Sequence, residues 1–301
     1  MKRTNKLPEI YFALSAAAAV IFAAVDIILM RSGYDWTLFL YESGSSAPLI
    51  FHTAAIVITA LLCTSVIFAR HAMLPRSAAP AGAFTSFCAG MTGCMLAGFG
   101  LMKLYYFMRG RYDMTARDTK LGLIAAFFAI AAALYFIITA VAKESRRAHS
   151  LPAFAVIITA ALRLVEIYFG TASPINSPPR IIFEIAMLAC MDYIITETRF
   201  IVGQPKPERY LAASCASVVL LALHSVPHLF FTFAGKYEIG PETLYSASML
   251  FMALYIAGRM VRYLSMDAEP EPAPETDKTD SKDENEEKAS DGKKEESETI
   301  N

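Results

Sequence analysis

The chain has 301 residues, 55% of them hydrophobic, and a mean hydropathy of +0.41. That exceeds the about 45–50% apolar content of ordinary soluble domains, and the excess is gathered into blocks. A formal net charge of −1 hides an asymmetry: positions 267–301 hold 14 acidic residues against 5 lysines, so the preceding body is basic. The basic residues of the body are scattered over short connections, which leaves no patch suited to nucleic acid.

The opening Met1-Lys-Arg-Thr-Asn-Lys followed by an alanine-rich run imitates a secretory signal, but its apolar stretch is longer than a signal core of about 7–15 residues. It reads as an uncleaved first span. Seven more blocks follow, giving eight in all: 8–30, 49–69, 81–107, 121–142, 152–170, 181–202, 210–233 and 243–264. A bilayer core needs about 20 apolar residues per helix, and lipid cannot satisfy open backbone groups, so each block is predicted to be a helix. The expected fold class is an all-α polytopic membrane protein of eight transmembrane helices.

With the N-terminus in the cytoplasm, thirteen loop Lys and Arg fall inside and seven outside, which places both termini in the cytoplasm of a cell membrane. Tyr34, Trp36, Tyr105, Tyr106, Phe230 and Phe231 gather at the outer ends and suit an interfacial aromatic belt. In the third span, Gly90, Gly93, Gly98 and Gly100 invite close helix packing. All five cysteines lie inside apolar blocks without CxxC spacing, so they read as small buried hydrophobes rather than a disulfide framework or zinc ribbon. The tail from Asp267 onward has almost no large apolar residue and is expected to be disordered and solvated, or to dock a basic protein partner.

Four echoes in order suggest an internal duplication. Val25-Asp26-Ile27 resembles Val165-Glu166-Ile167, and Ile50-Phe51-His52 resembles Ile182-Phe183-Glu184. Gly110-Arg-Tyr-Asp resembles Gly235-Lys-Tyr-Glu, and Ala133-Leu134-Tyr135 resembles Ala253-Leu254-Tyr255. The spacing between partners falls steadily along the chain, as shorter loops in the second half would produce. Two tandem four-helix repeats, 1–150 and 151–266, followed by the tail 267–301, are the expected organisation. A site at the repeat interface is the expected consequence.

Charges at membrane depth cost about 2.5–3.5 kcal/mol each even on the lenient insertion scale, so those present need a reason. The duplication aligns Asp26 with Glu166, His52 with Glu184, and Lys103 with His228, in one layer near the outer helix ends. Arg163 and His224 lie one turn deeper on the faces of Glu166 and His228, and Asp192 lies deepest. Together these nine residues suggest an outward-opening polar pocket for a small molecule or ion. The alternative is interfacial charges reaching to headgroups, with Arg163 and Glu166 tying the fifth helix to the sixth.

His224 and His228 share one helical face and are the chain's candidate metal pair, although the Glu of HExxH is missing. Walker, GxSxG and Rossmann motifs are absent. The leading expectation is therefore a small-solute or ion transporter, or a ligand-binding membrane protein without a bound cofactor. A membrane scaffold acting through its acidic tail is the second reading, and a metal-dependent membrane enzyme the third.

Overall fold

A computed structural model describes residues 6–36, 40–42, 46–69, 82–111, 117–142, 150–170, 177–204 and 206–266; the expected tail lies outside the described residues. Eight helices make up these segments: α1 (Leu7–Gly33), α2 (Ala47–Phe68), α3 (Ala83–Met108), α4 (Arg117–Val141), α5 (Ser150–Phe169), α6 (Pro178–Val202), α7 (Pro207–Phe233) and α8 (Pro241–Ser265). Each falls within a few residues of its predicted block. Proline marks the start of α1, α2, α6, α7 and α8. Its missing N–H falls there among donors a helix leaves unpaired anyway. Between α1 and α2 the strands β1 (Tyr34–Asp35) and β2 (Leu40–Tyr41) pair antiparallel, with Tyr34 opposite Tyr41.

Seven of the eight helices are long and apolar enough to cross a membrane. The eighth helix, α6, falls outside that class. α6 has the length but carries Arg180, Glu184, Asp192, Glu197 and Arg199 within its 25 residues.

The distribution of polarity is inverted relative to a soluble bundle. Val20 (71% exposed), Phe68 (81%) and Val141 (79%) face outward, while Ser15, Thr92, Ser214 and Ser225 are fully buried. Each buried hydroxyl returns its proton to a carbonyl one turn back, as Thr92 does to Cys88 (2.8 Å) and Ser225 to Leu221 (2.6 Å). Ser217 instead crosses to Ala189 O on α6 (2.9 Å) and ties two helices together. An apolar exterior over a hydrogen-bonded interior is what hydrocarbon solvent requires.

Packing divides the helices into a ring and a flank. α3, α4, α5, α6, α7 and α8 each touch the next, and α8 returns to α3; α1 and α2 pack on the outside of α7. The first four helices are thus split between ring and flank. Three of the six aromatic residues expected at the outer ends, Tyr34, Trp36 and Phe231, cluster at the end of α1, where Trp36 packs among Tyr34, Phe231 and Tyr237 with centroids 4.6–5.5 Å apart. Mutual packing buries Tyr34 and Phe231, whereas Tyr105 and Phe230 remain about half exposed. Cys88, Cys190 and Cys215 are buried as expected, whereas Cys63 is half-buried and Cys94 is exposed on α3.

The glycine-bearing third helix does pack closely, through two positions seven residues apart. A Cβ on Gly93 would lie 2.9 Å from Ala133 O, and one on Gly100 would lie 2.6 Å from Ala126 O, both backbone atoms of α4. Seven residues are two helical turns, so both glycines face the same neighbour. Gly100→Val is expected to destabilise the protein by about 1–3 kcal/mol through overpacking. Gly33→Ala, with open space around it, should be nearly neutral. Thermal unfolding in nanodiscs compares the two, and equal midpoints would refute the close α3–α4 contact.

Candidate functional site

The ring carries charge at both ends of its interior and a small cavity between them. At the end where α1, α3, α5 and α7 finish, Arg163 of α5 is 2% exposed yet fully charged in its contacts. Its Nη1 donates to Glu166 Oε2 (2.5 Å), and its Nη2 donates to a carboxylate oxygen of Glu242 in the first turn of α8. Lys103 of α3 donates to the other oxygen of Glu166 and lies 3.8 Å from Glu242. Two cations and two carboxylates from three helices therefore form one neutral network. Such neutralisation is the condition for keeping ions out of water.

Aromatic faces complete the enclosure. The Arg163 guanidinium lies 4.8 Å from the Tyr245 ring centre, 5.2 Å from Phe99 and 5.9 Å from Phe183, and Lys103 shares Phe99 at 5.2 Å. Gly122 of α4 leaves room for the network, since a Cβ there would meet the Glu166 carboxylate and approach Lys103 Nζ to 3.0 Å. The partners are unequal in exposure: the Glu166 side chain is 13% exposed and that of Glu242 54%. Glu242 is the member that water can reach.

Beyond Tyr245 the ring holds a cavity of about 20 Å³, lined by Thr92, Ala132, Thr159, Met187, Leu221 and Ser248, one from each ring helix. That is room for about one water. Along α5, Arg163 lies four residues, about 6 Å, beyond Thr159. In the other direction Glu197 lies seven residues, about 10 Å, beyond the cavity residue Cys190 on α6.

Glu197 is 2% exposed and anchors a second cluster. Tyr255 donates to its Oε1 (2.7 Å), Tyr135 donates to its Oε2 (3.1 Å), and Arg259 Nε donates to Oε1 (3.1 Å). Tyr193, Tyr210 and Tyr263 continue the cluster as contacting rings. The two tyrosines of the echo Ala133-Leu134-Tyr135 and Ala253-Leu254-Tyr255 thus meet at opposite oxygens of one carboxylate.

The nine residues singled out from sequence divide into groups. Arg163, Glu166 and Lys103 form the ring network. Asp26, His52, His224 and His228 line a separate cavity among α1, α2, α6 and α7. Glu184 joins neither, because it pairs with Arg180 one turn back on α6 (3.1 Å). Asp192 lies exposed on α6, away from both. Residues from both halves of the chain do meet, but in two places rather than one.

His224 and His228 stack nearly parallel (26°) with centroids 6.2 Å apart, so their in-plane lone pairs do not converge on one ion. Among the described residues no three His, Cys, Asp or Glu form a metal-binding group.

Glu242, Glu197, Arg259 and Tyr245 escaped the sequence reading. Glu242 follows Pro241 and resembles an ordinary first-turn acid, and Arg259 resembles a loop-end cation. The paired tyrosine echo was the available pointer to Glu197. In comparisons with known proteins, no family model, curated protein or solved structure matches the chain.

Glu197→Gln strips the buried Arg259 of its carboxylate and is expected to cost about 3–5 kcal/mol. Tyr135→Phe removes one hydrogen bond and should cost about 1 kcal/mol. Unfolding of the two variants in nanodiscs checks the order, and a larger loss for Tyr135→Phe would overturn this description of the cluster.

Proposed function

We propose that the protein binds a small anion, a carboxylate or phosphate, at Arg163 and passes it along the axis of the α3–α8 ring. The observation that carries this reading is the unequal shielding of the two carboxylates on a buried Arg163. Glu166 is held on the same helix and also by Lys103, whereas Glu242 comes from another helix and is half exposed. An anion entering from that end competes with Glu242 for the planar guanidinium and for Lys103. Release of α8's first turn then changes the ring wall that contains Tyr245. A fork of N–H donors suits planar or tetrahedral oxyanions and is poorly replaced by lysine.

Placement in the cell membrane with both termini cytoplasmic follows the loop charges, and it takes α6 as an eighth span. Internal pairing of Arg180 with Glu184 and of Glu197 with Arg259 supports that crossing. A duplicated origin draws support from Tyr135 and Tyr255 and from Gly110 and Gly235, both left-handed (φ 67° and 75°) after α3 and α7. Left-handed glycines are common helix ends, so the tyrosine pair carries more of that argument.

The test uses wild-type protein in nanodiscs with acetate, glutamate and inorganic phosphate as thermal-shift probes, followed by uptake into proteoliposomes. One of these anions is expected to raise the unfolding midpoint; a site filled to about 100 times its Kd gains about 2.7 kcal/mol. Glu242→Gln should tighten binding and Arg163→Lys should weaken it at least about tenfold. Absence of stabilisation by every probe, or equal binding by Arg163→Lys, would refute anion recognition at Arg163.

A further inference from the structure

The second cavity, outside the ring, has a different chemistry. Its volume is about 40 Å³, enough for a water or two, and its polar lining is Asp26, His52, His224, His228 and Tyr237. Asp26 and His52 are 6% and 4% exposed. Each ring nitrogen of His52 has a close oxygen neighbour. Its Nδ1 lies 2.6 Å from the carbonyl oxygen of Pro48, which can only accept, so Nδ1 carries a hydrogen. Nε2 then faces Asp26 Oδ1 at 3.0 Å, an ion-pair contact bent away from the ideal hydrogen-bond line.

That same oxygen accepts the Tyr41 hydroxyl at 3.0 Å. Burial and the neighbouring Asp26 push the Tyr41 hydroxyl's pKa well above its usual value, so it stays a donor. Without a proton on Nε2, that nitrogen and an ionised carboxylate oxygen are two negative atoms 3.0 Å apart, which is repulsive even off the lone-pair axis. One proton between them removes the conflict, whether it rests on Nε2 as imidazolium beside carboxylate or on Asp26 as a carboxylic acid beside neutral imidazole.

We infer that Asp26 and His52 form a proton-binding site, holding one proton more than a neutral imidazole beside an ionised carboxylate. The cavity gives that proton a route. His228 lines it and has a buried Nδ1 with no hydrogen-bond partner among the described residues, a nitrogen able to take a proton or hydrogen bond from cavity water. Its ring stacks on Tyr237 (4.7 Å, 14°) and on His224 (6.2 Å), and His224 lies against Phe183 (4.9 Å), one of the rings around Arg163.

The groups facing the pair are few. α1 supplies Asp26, the hairpin Tyr34 and Tyr41, α2 His52, α7 His224 and His228, and the α7–α8 connection Tyr237; α6 contributes only Pro179 and Ile182 to the lining. Arg163 and Glu242 are the full charges acting on the two α7 histidines. The site stands independently of anion binding, and its test is separate.

The full chain, labelled with ¹⁵N-histidine and held in nanodiscs, is followed by NMR of the ring nitrogens and by infrared spectroscopy between about pH 5 and about pH 9. Near neutral pH, the expected result is His52 protonated on both nitrogens, or an Asp26 acid carbonyl band that disappears in Asp26→Asn. In Asp26→Asn the extra proton is expected to be lost, leaving His52 protonated on Nδ1 alone. His52→Gln identifies the His52 signals independently, and the wild-type spectra decide the matter if neither variant folds. A singly protonated His52 beside an ionised Asp26 near neutral pH would overturn the inference, as would a His52 still protonated on both nitrogens in Asp26→Asn.

Discussion

The structure depends on keeping one guanidinium out of water. Arg163 is almost wholly enclosed, and no side chain is more costly to bury unpaired. Its contacts dictate much of the surrounding architecture. α8 must begin beside the end of α5 so that Glu242 reaches Nη2, and α3 must present Lys103 to the far oxygen of Glu166. α4 must offer a glycine where the pair rests against it. Three aromatic rings then fill the space that water would otherwise occupy. Charge neutrality across α3, α5 and α8 thereby fixes the closure of the ring.

The opposite end solves the same problem with different groups. Glu197 is satisfied by two phenolic hydroxyls and one guanidinium, all buried. Hydroxyls can be satisfied by a single carboxylate without adding charge, so this end needs no second acid. Between the two clusters the lining is Thr, Ser, Ala, Met and Leu around a water-sized space. A closed polar plug at each end of a narrow, weakly polar middle is a resting arrangement consistent with alternating release of the two ends. In the proposed anion passage, the more exposed plug, bearing Glu242, is the one that opens first.

Much of the fold was legible because hydrophobic length leaves little choice in a bilayer. All eight blocks became helices, and two glycines of the run that invited close packing, Gly93 and Gly100, meet the α4 backbone. The site was only partly legible. Arg163, Glu166 and Lys103 stood out because charge inside an apolar run is costly, and the structure joins them. Glu242 did not stand out, because a carboxylate after a proline at a helix start is ordinary. Asp192 did, because depth along the chain was taken for depth in the bundle, whereas its side chain points out of it. Which face of a helix is buried cannot be read from α6, whose charges lie on more than one side. The ring-and-flank arrangement was hidden for a related reason: sequence order places α1 and α2 beside α3, whereas packing places them on α7.

The central claim is that Arg163 and Glu242 act on one another across α5 and α8. A double-mutant cycle of Arg163→Met and Glu242→Gln, singly and together, read by unfolding free energy in nanodiscs, tests it most directly. The account predicts a coupling of at least about 1 kcal/mol, as expected for groups in one ion-pair network. Losses that add to within about 0.5 kcal/mol would contradict it.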